Sequence, residues 1–250
     1  MHLHISAATT ELKTGFAELT ADSELGTHFV QVDWQLDLSF VQDSSFQRFG
    51  GYRLETSGED GNTVIVRYFR VCDAFRAVGR LLRSNSVQAG HGGMSEECCF
   101  RNVGVMIDIS RNAVLRPEYV LFLLRRFALL GINQVMLYSE DTYEIVKQPF
   151  FGYKRGRYSS SDIRRFDACA VALGIELIPC IQTLGHLSQI LQWPAYDGIR
   201  DQQDVLLAGC DDTYELISRM LDSILSCFSS KRVHIGNDVT GFVLFAFRNG

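Results

Sequence analysis

The stretch NVGVMIDIS, residues 102–110, is almost continuously apolar and rich in β-branched side chains. Such a run suits a strand buried on both faces, the environment of a parallel sheet. Helical segments alternate with runs of this kind over the next 130 residues. Pro117 opens PEYVLFLLRRFALLG, a helix with proline in its first turn and Gly131 as its stop. NQVMLYSED (133–141) reads as a second apolar strand, and SSSDIRRFDACAVALG (159–174) as a second helix, with serines before it and Gly174 after it. IELIPCIQT (175–183) is a third strand. DDTYELISRMLDSILSCF (211–228) is a third helix, with Asp211 or Asp212 as its cap, and KRVHIGND (231–238) is a fourth strand. The order β-α-β-α-β-α-β specifies a parallel sheet with crossover helices. A doubly wound open sheet and the front half of a TIM (β/α)8 barrel both fit it.

The residues before this run have a different rhythm. HFVQVDWQLDLSF (28–40) alternates apolar and polar, as a half-buried strand or hairpin does. Tyr52 to Thr56 and Thr63 to Tyr68 read as two further strands around the turn signal GEDGN. CDAFRAVGRLL (72–82) has apolar residues at helical spacing. Strands followed by a helix predict a small α+β domain. SNSVQAGHGG (84–93) is small, polar and glycine-rich, a linker in which His91 has no flanking partner ligands. The predicted organisation is a small α+β domain plus linker over 1–93 and a partial (β/α)8 domain over 94–250.

Composition narrows the classes. Hydrophobic residues make up 46% of the 250, enough for a substantial core. The net charge of −5 argues against nucleic acid or an anionic membrane surface as the main partner. No run of about 20 apolar residues is present, so no membrane span is expected. The N-terminus lacks a basic region followed by an apolar run, so no secretory signal is read there. The seven cysteines are odd in number and include no CxxC pair. They read as free thiols in a reducing compartment, and the expected location is cytoplasmic. No GxGxxG and no GxxxxGK[ST] motif occurs, so a phosphate-binding loop is not expected.

Polar residues gather at the C-terminal ends of the predicted strands. Strand one ends in Asp108, Ser110 and Arg111, and strand two in Glu140, Asp141 and Tyr143. Strand three leads into Gln182, Thr183 and His186, and strand four into His234, Asn237 and Asp238. In parallel α/β folds ligands bind at that face. An arginine can fork two hydroxyls and a carboxylate can accept from two more, a set suited to a polyhydroxylated ligand. Tyr143, Tyr153 and Trp193 are candidates to stack on a sugar face.

With these residues in view, Val103 to Asp238 resembles the start of a family 20 glycoside hydrolase catalytic domain, of the β-N-acetylhexosaminidase-like kind. The resemblance is carried by GVMIDISRN (104–112), LYSEDTYEI (137–145), FGYKRGRYS (151–159), LGIELIPCIQTLGH (173–186) and RVHIGND (232–238), in the right order and at similar spacings. AFRAVGRLL (74–82) resembles the helix that closes the small domain before that barrel.

The resemblance implies removal of terminal β-linked N-acetylhexosamine without metal or organic cofactor. The substrate's own acetamido oxygen acts as nucleophile, an exception to the two-carboxylate rule. It implies that Arg111 holds outer hydroxyls of the terminal sugar and that Asp141, with Glu140 beside it, contacts the sugar. It implies that His186 supports the pocket, that His234 fixes the strand-four turn and that Asp238 orients the acetamido group. The partner implied is a carbohydrate, and oligomeric state is left open.

Three departures qualify it. The residue after Asp238, where the family has the general-acid glutamate, is Val239, which cannot donate a proton. General acid catalysis is typically worth about 10²–10⁴-fold. Residues 94–250 fall short of the roughly 250 of a whole barrel, so the chain reads as truncated after its fourth strand. The stretch VTGFVLFAFRNG (239–250) is apolar where the family has a polar loop. Inactive or severely impaired hydrolysis is expected, with a non-catalytic carbohydrate-binding or interaction protein as the alternative.

Overall fold

The computed structural model describes residues 2–29, 36–46, 49–57, 62–83 and 94–236. The turn GEDGN (all but Asn62), the linker 84–93 with His91, and Asn237, Asp238 and Val239 lie outside them. The described residues form two compact units. The first comprises Met1–Val105, Glu118–Gln134 and Ala168–Glu176; the second comprises Met106–Pro117, Val135–Asp167 and Leu177–Gly250.

The first unit is built on a five-stranded sheet of order β1-β2-β4-β3-β5. Its strands are β1 (Leu3–Ala7), β2 (Leu36–Gln42), β3 (Gly51–Ser57), β4 (Thr63–Tyr68) and β5 (Met94–Glu97). β1, β2 and β4 run parallel, while β3 is antiparallel to β4 and β5. Leu36, Leu38 and Phe40 alternate with Asp37 and Ser39, so one face of β2 is buried. Helices α1 (Thr10–Thr20) and α2 (Val71–Arg83) supply the matching apolar stripes. Phe16 of α1 meets Phe40 and Phe75 at ring centroid distances of 5.3 Å each.

The sequence expectation for 52–56, 63–68 and 72–82 matches β3, β4 and α2. The expectation for 28–40 needs correction at its start. His28 and Phe29 end a short 3-10 helix, Leu25–Phe29. Asp22 Oδ1 accepts the backbone N–H groups of Glu24 and Leu25, at 3.0 Å each, and this side-chain turn overrides the alternation.

A three-stranded sheet of order β6-β7-β8 comes next: β6 (Gly104–Asp108), β7 (Gln134–Ser139) and β8 (Glu176–Ile181). The hydrogen bonds Asn133 N to Val103 O and Ile109 N to Tyr138 O advance together along both chains, as do Glu176 N to Asn133 O and Gln182 N to Ser139 O. That progression makes both pairs parallel. Helix α3 (Pro117–Leu130) joins the first pair and α4 (Ser160–Ala172) the second. His234 N and O bond Pro179 O and Ile181 N, adding a parallel bridge beyond β8. Two helices precede that bridge, the single turn α5 (Ser188–Leu191) and the longer α6 (Asp211–Leu225).

Two expectations change here. β6 is not buried on both faces: among the described residues it pairs only with β7, and Met106 is 53% exposed. Cys210, with no side-chain cap bond, stands at the N-cap of α6, and Asp211 and Asp212 occupy its first turn, where their charge meets the positive helix end. The start of α4 is as read: Ser159 Oγ accepts from Asp162 N–H, and Asp162 accepts from Ser159 N–H.

Within the first unit Gly79 of α2 lies directly against the backbone of Leu129 in α3. A β-carbon there would collide with the Leu129 carbonyl, a backbone group that cannot rotate away. Gly79→Ala is expected to destabilise by about 1–3 kcal/mol, despite alanine's better helix propensity. Gly198→Ala, with no atom within 4 Å of its β-carbon, is expected to shift stability by less than about 0.5 kcal/mol. Urea unfolding of the two variants checks both figures.

Candidate functional site

The site lies in the second unit and begins at the end of β6. Backbone groups beyond a strand end lose their ladder partners and need others. Asp108 provides two: its Oδ1 accepts Ser110 N–H at 2.9 Å and Arg111 N–H at 3.0 Å. This turn aims Arg111 across the sheet toward β7. Arg111 Nη2 donates to the Tyr138 hydroxyl at 2.9 Å, and the guanidinium lies over the Tyr138 ring, 4.9 Å from its centroid. Arg111 Nε is 3.4 Å from Glu140 Oε1, which also accepts from the Tyr138 hydroxyl at 3.1 Å.

Glu140 is held from behind. Its N–H donates to Ser110 Oγ at 2.8 Å. Ser110, Thr142 and Ser139 form a buried hydroxyl chain, with oxygen separations of 3.3 and 2.7 Å. Burial pushes the Glu140 carboxyl above its ordinary value, against the opposing pull of the Tyr138 hydrogen bond and the Arg111 charge. Arg111 is half exposed and Glu140 is buried, so the guanidinium is the part of the pair that meets open solvent.

Behind this pair stands Asp141, 1% exposed. Arg155 Nε donates to its Oδ1 at 3.2 Å, and Arg155 Nη2 donates to the Ser110 carbonyl. Asp141 Oδ2 has no hydrogen-bond partner among the described residues. Burial raises the Asp141 pKa, and Arg155 only partly offsets it. The chain reaches this position by a tight loop in which Gly152, at φ 66°, passes against the Asp141 carbonyl.

A cavity of about 230 Å³ opens in front of these groups. Arg111, Glu140 and His186 line it, as do Ser110 and Arg155. Its far wall is Ser188, Gln189 and Asp204. His186 adopts φ 59°, the left-handed region that costs a non-glycine residue energy and is found where surroundings impose it. Larger hollows of about 530 and 470 Å³ lie on helix surfaces and contain none of these strand-end groups.

Of the residues singled out in the sequence, the structure brings Arg111, Glu140 and His186 to one cavity. It sets Asp141 behind the wall, acting on the cavity through Arg155. Asp238 lies outside the described residues. His234 Nδ1 accepts from Gly236 N–H at 3.1 Å, inside the turn that leads toward it. Tyr143 is corrected: it is 1% exposed and packs on Phe151 at 5.0 Å, so it is a core residue and not a stacking face.

The sequence reading missed Tyr138, Arg155, Ser188, Gln189 and Asp204. Arg155 stands in the quoted FGYKRGRYS stretch, so a signal existed for it. Asp204 had none: its place depends on the bonds Leu187 N to Asp204 O and Leu206 N to Leu184 O.

Among the described residues no group of three His, Cys, Asp or Glu side chains could hold a metal ion. None of their helices is long and apolar enough to cross a membrane. None of the seven cysteines is joined in a disulfide.

Comparison with known proteins gives the fold its context. No family model matches the chain. Hexosaminidase D of Bos taurus is 26% identical over 121 residues, covering 45% of this chain and 34% of that protein. Hexosaminidase D of Homo sapiens is 26% identical over 149 residues, covering 58% of this chain and 30% of that protein. Among solved structures, the GH20 exo-β-N-acetylglucosaminidase of Vibrio harveyi, in complex with N-acetylglucosamine, superposes with a TM-score of 0.71. It is 20% identical and is matched over 96% of this chain and 43% of its own.

The fold is that of family 20 glycoside hydrolases: a small α+β domain followed by the first part of a (β/α)8 barrel. The chain spans about a third of the length of the curated relatives it matches.

Arg155→Ala strips the buried Asp141 charge of its partner. A loss of about 2–4 kcal/mol at neutral pH is expected, discounted from a fully buried pair because Arg155 is 23% exposed. The folded Asp141 pKa is raised, so the fold already loses stability as pH climbs from the ordinary 3.8 through that raised value. Removing Arg155 raises it further. The cost of the variant is therefore expected to shrink as pH falls and Asp141 takes its proton, which urea unfolding across acid to neutral pH measures.

Proposed function

We propose that this chain is a β-N-acetylhexosaminidase-like protein that grips a terminal N-acetylhexosamine at its strand ends and hydrolyses it poorly or not at all. The observation that carries the binding part is the Arg111–Glu140 pair, 3.4 Å apart at the mouth of one small cavity. A planar donor fork beside a carboxylate acceptor matches the vicinal hydroxyls of a sugar ring, each of which is both donor and acceptor. The cavity's volume lies below the roughly 300–1,000 Å³ common for drug-sized ligands, which suits a single ring. Likeness to hexosaminidase D and to an N-acetylglucosamine-bound enzyme supports the sugar's identity.

In this reading Arg111 and Glu140 take outer hydroxyls, and His186 borders the ring. Arg155 keeps the wall in place. Asp238 holds the acetamido group, whose oxygen attacks the anomeric carbon. The departing glycosidic oxygen then needs a proton, and Val239 stands where the donor belongs. Glu140, despite its raised pKa, is committed to Arg111 and Tyr138 on a different strand end. Val239 thus favours a second reading, a non-catalytic carbohydrate-binding protein built on the same site. Seven thiols outside any disulfide fit a reducing compartment, and cytoplasmic location is part of the proposal.

Calorimetric titration with N-acetylglucosamine is expected to show saturable binding with Kd on the order of 1 mM, weakened at least about tenfold in Arg111→Ala. Cleavage of an aryl N-acetyl-β-glucosaminide should fall about 10²-fold or more below that of an intact family member. No binding at tens of millimolar sugar would remove the proposal. Cleavage at the rate of an intact member would overturn its non-catalytic part.

A further inference from the structure

Tyr138 is buried in β7 and is not one of the residues that line the cavity. For filling the core its ring is enough, and a phenylalanine would occupy the same space. A buried hydroxyl costs free energy unless it is hydrogen-bonded, so the partners of this one define its role. They come from three strand ends. The hydroxyl accepts from Arg111 Nη2 at 2.9 Å and donates to Glu140 Oε1 at 3.1 Å. Gln182, just past β8, hydrogen-bonds it from the third side. The ring does something separate: it carries the Arg111 guanidinium 4.9 Å from its centroid.

Glu140 is the group that this hydroxyl governs. Burial acts most strongly on the carboxyl and disfavours its charged form. The Tyr138 hydrogen bond is foremost among the groups that favour the charge. Arg111 and His186 favour it too, and Asp108 opposes it. Arg155 and Asp204 line the same cavity, and Asp141 on the same strand end is turned to Arg155. Burial and the Glu140 charge hold the Tyr138 hydroxyl far above its ordinary value. It therefore keeps its proton and serves the carboxylate only as a donor.

We propose that Tyr138 is a positioning residue for sugar binding: its hydroxyl keeps the Glu140 carboxylate charged and fixed beside Arg111, so that the cavity holds its sugar at neutral pH and releases it in acid. The inference rests on the sugar-binding reading of the cavity and adds the residue that sets its acid limit. A charged Glu140 accepts from sugar hydroxyls and holds Arg111 in place. Once protonated it loses acceptor capacity and its attraction for Arg111. Affinity is therefore full above the Glu140 pKa and falls as pH drops through it. Removing the Tyr138 hydroxyl raises that pKa further, so the fall begins at higher pH.

The test has two readouts on the full chain. The first needs no sugar: carbon-13 nuclear magnetic resonance follows the Glu140 carboxyl through its titration. Tyr138→Phe keeps the ring under Arg111 and should move the midpoint up by about one pH unit. A 3-fluorotyrosine installed in place of Tyr138 keeps ring and hydroxyl but donates more strongly, and should move it down. The second readout is calorimetric titration with N-acetylglucosamine from about pH 8 to about pH 4. Wild-type affinity should fall about tenfold through the Glu140 midpoint. In Tyr138→Phe the fall should be displaced upward by the same interval as the carboxyl midpoint. A midpoint unmoved by either replacement, or an equal loss of affinity in Tyr138→Phe at every pH, overturns the role of Tyr138 alone. Saturable wild-type binding that stays flat through the Glu140 midpoint overturns the acid release. Failure of wild type to bind at any pH, with the carboxyl midpoints moving as expected, overturns the sugar-binding reading and leaves Tyr138 only its hold on Glu140.

Discussion

The buried hydroxyl chain Ser110–Thr142–Ser139 is the joint on which the candidate site depends. Where β6 and β7 end, ladder pairing stops and backbone groups still inside the protein need partners. Ser110 Oγ takes the Glu140 N–H, Ser139 Oγ takes the Thr142 N–H, and the hydroxyls bond each other. Satisfying those groups fixes two adjacent strand ends in one register. Arg111 and Glu140 come to 3.4 Å as a consequence. A network of this sort holds a single geometry, because any looser arrangement leaves a buried polar group unpaired.

Charge placement behind that joint obeys the same logic. Two neighbouring acids meet different fates: Glu140 faces the cavity with Arg111 and Tyr138, and Asp141 turns inward to Arg155. Burial raises both carboxyls. Arg155 touches Asp141, the Ser110 carbonyl and the cavity at once.

Much of this was legible in the sequence. The alternation of apolar runs with capped helices revealed β6 to β8 and the helices between them; buried parallel strands such as β8 leave a continuous apolar signal, and β6 carries the same signal although its residues are not buried. Strand-end geometry placed Arg111, Glu140 and His186 within a wider set of polar residues, and the family resemblance singled them out. What stayed hidden has physical causes. β5, Met94–Glu97, has no apolar pattern and is held by backbone pairing with β3. Asp204 reaches the cavity through loop hydrogen bonds that no local pattern announces. Tyr143 looked like a strand-end aromatic, and only its packing on Phe151 shows that it faces the core. Asp22 reshaped the start of 28–40 through a turn weaker in pattern than the alternation it replaced.

In the proposed function Arg111 and Glu140, positioned by the hydroxyl chain, make one sugar-contacting edge. Nuclear magnetic resonance of the isotope-labelled protein during N-acetylglucosamine titration probes that edge atom by atom. Saturable shifts are expected for the Arg111 side-chain Nε–H and for the amides of Ser110, Glu140 and His186, with the sheet β1 to β5 unmoved. Shifts confined to other surfaces, with the Arg111 Nε–H unchanged at saturating sugar, would contradict it.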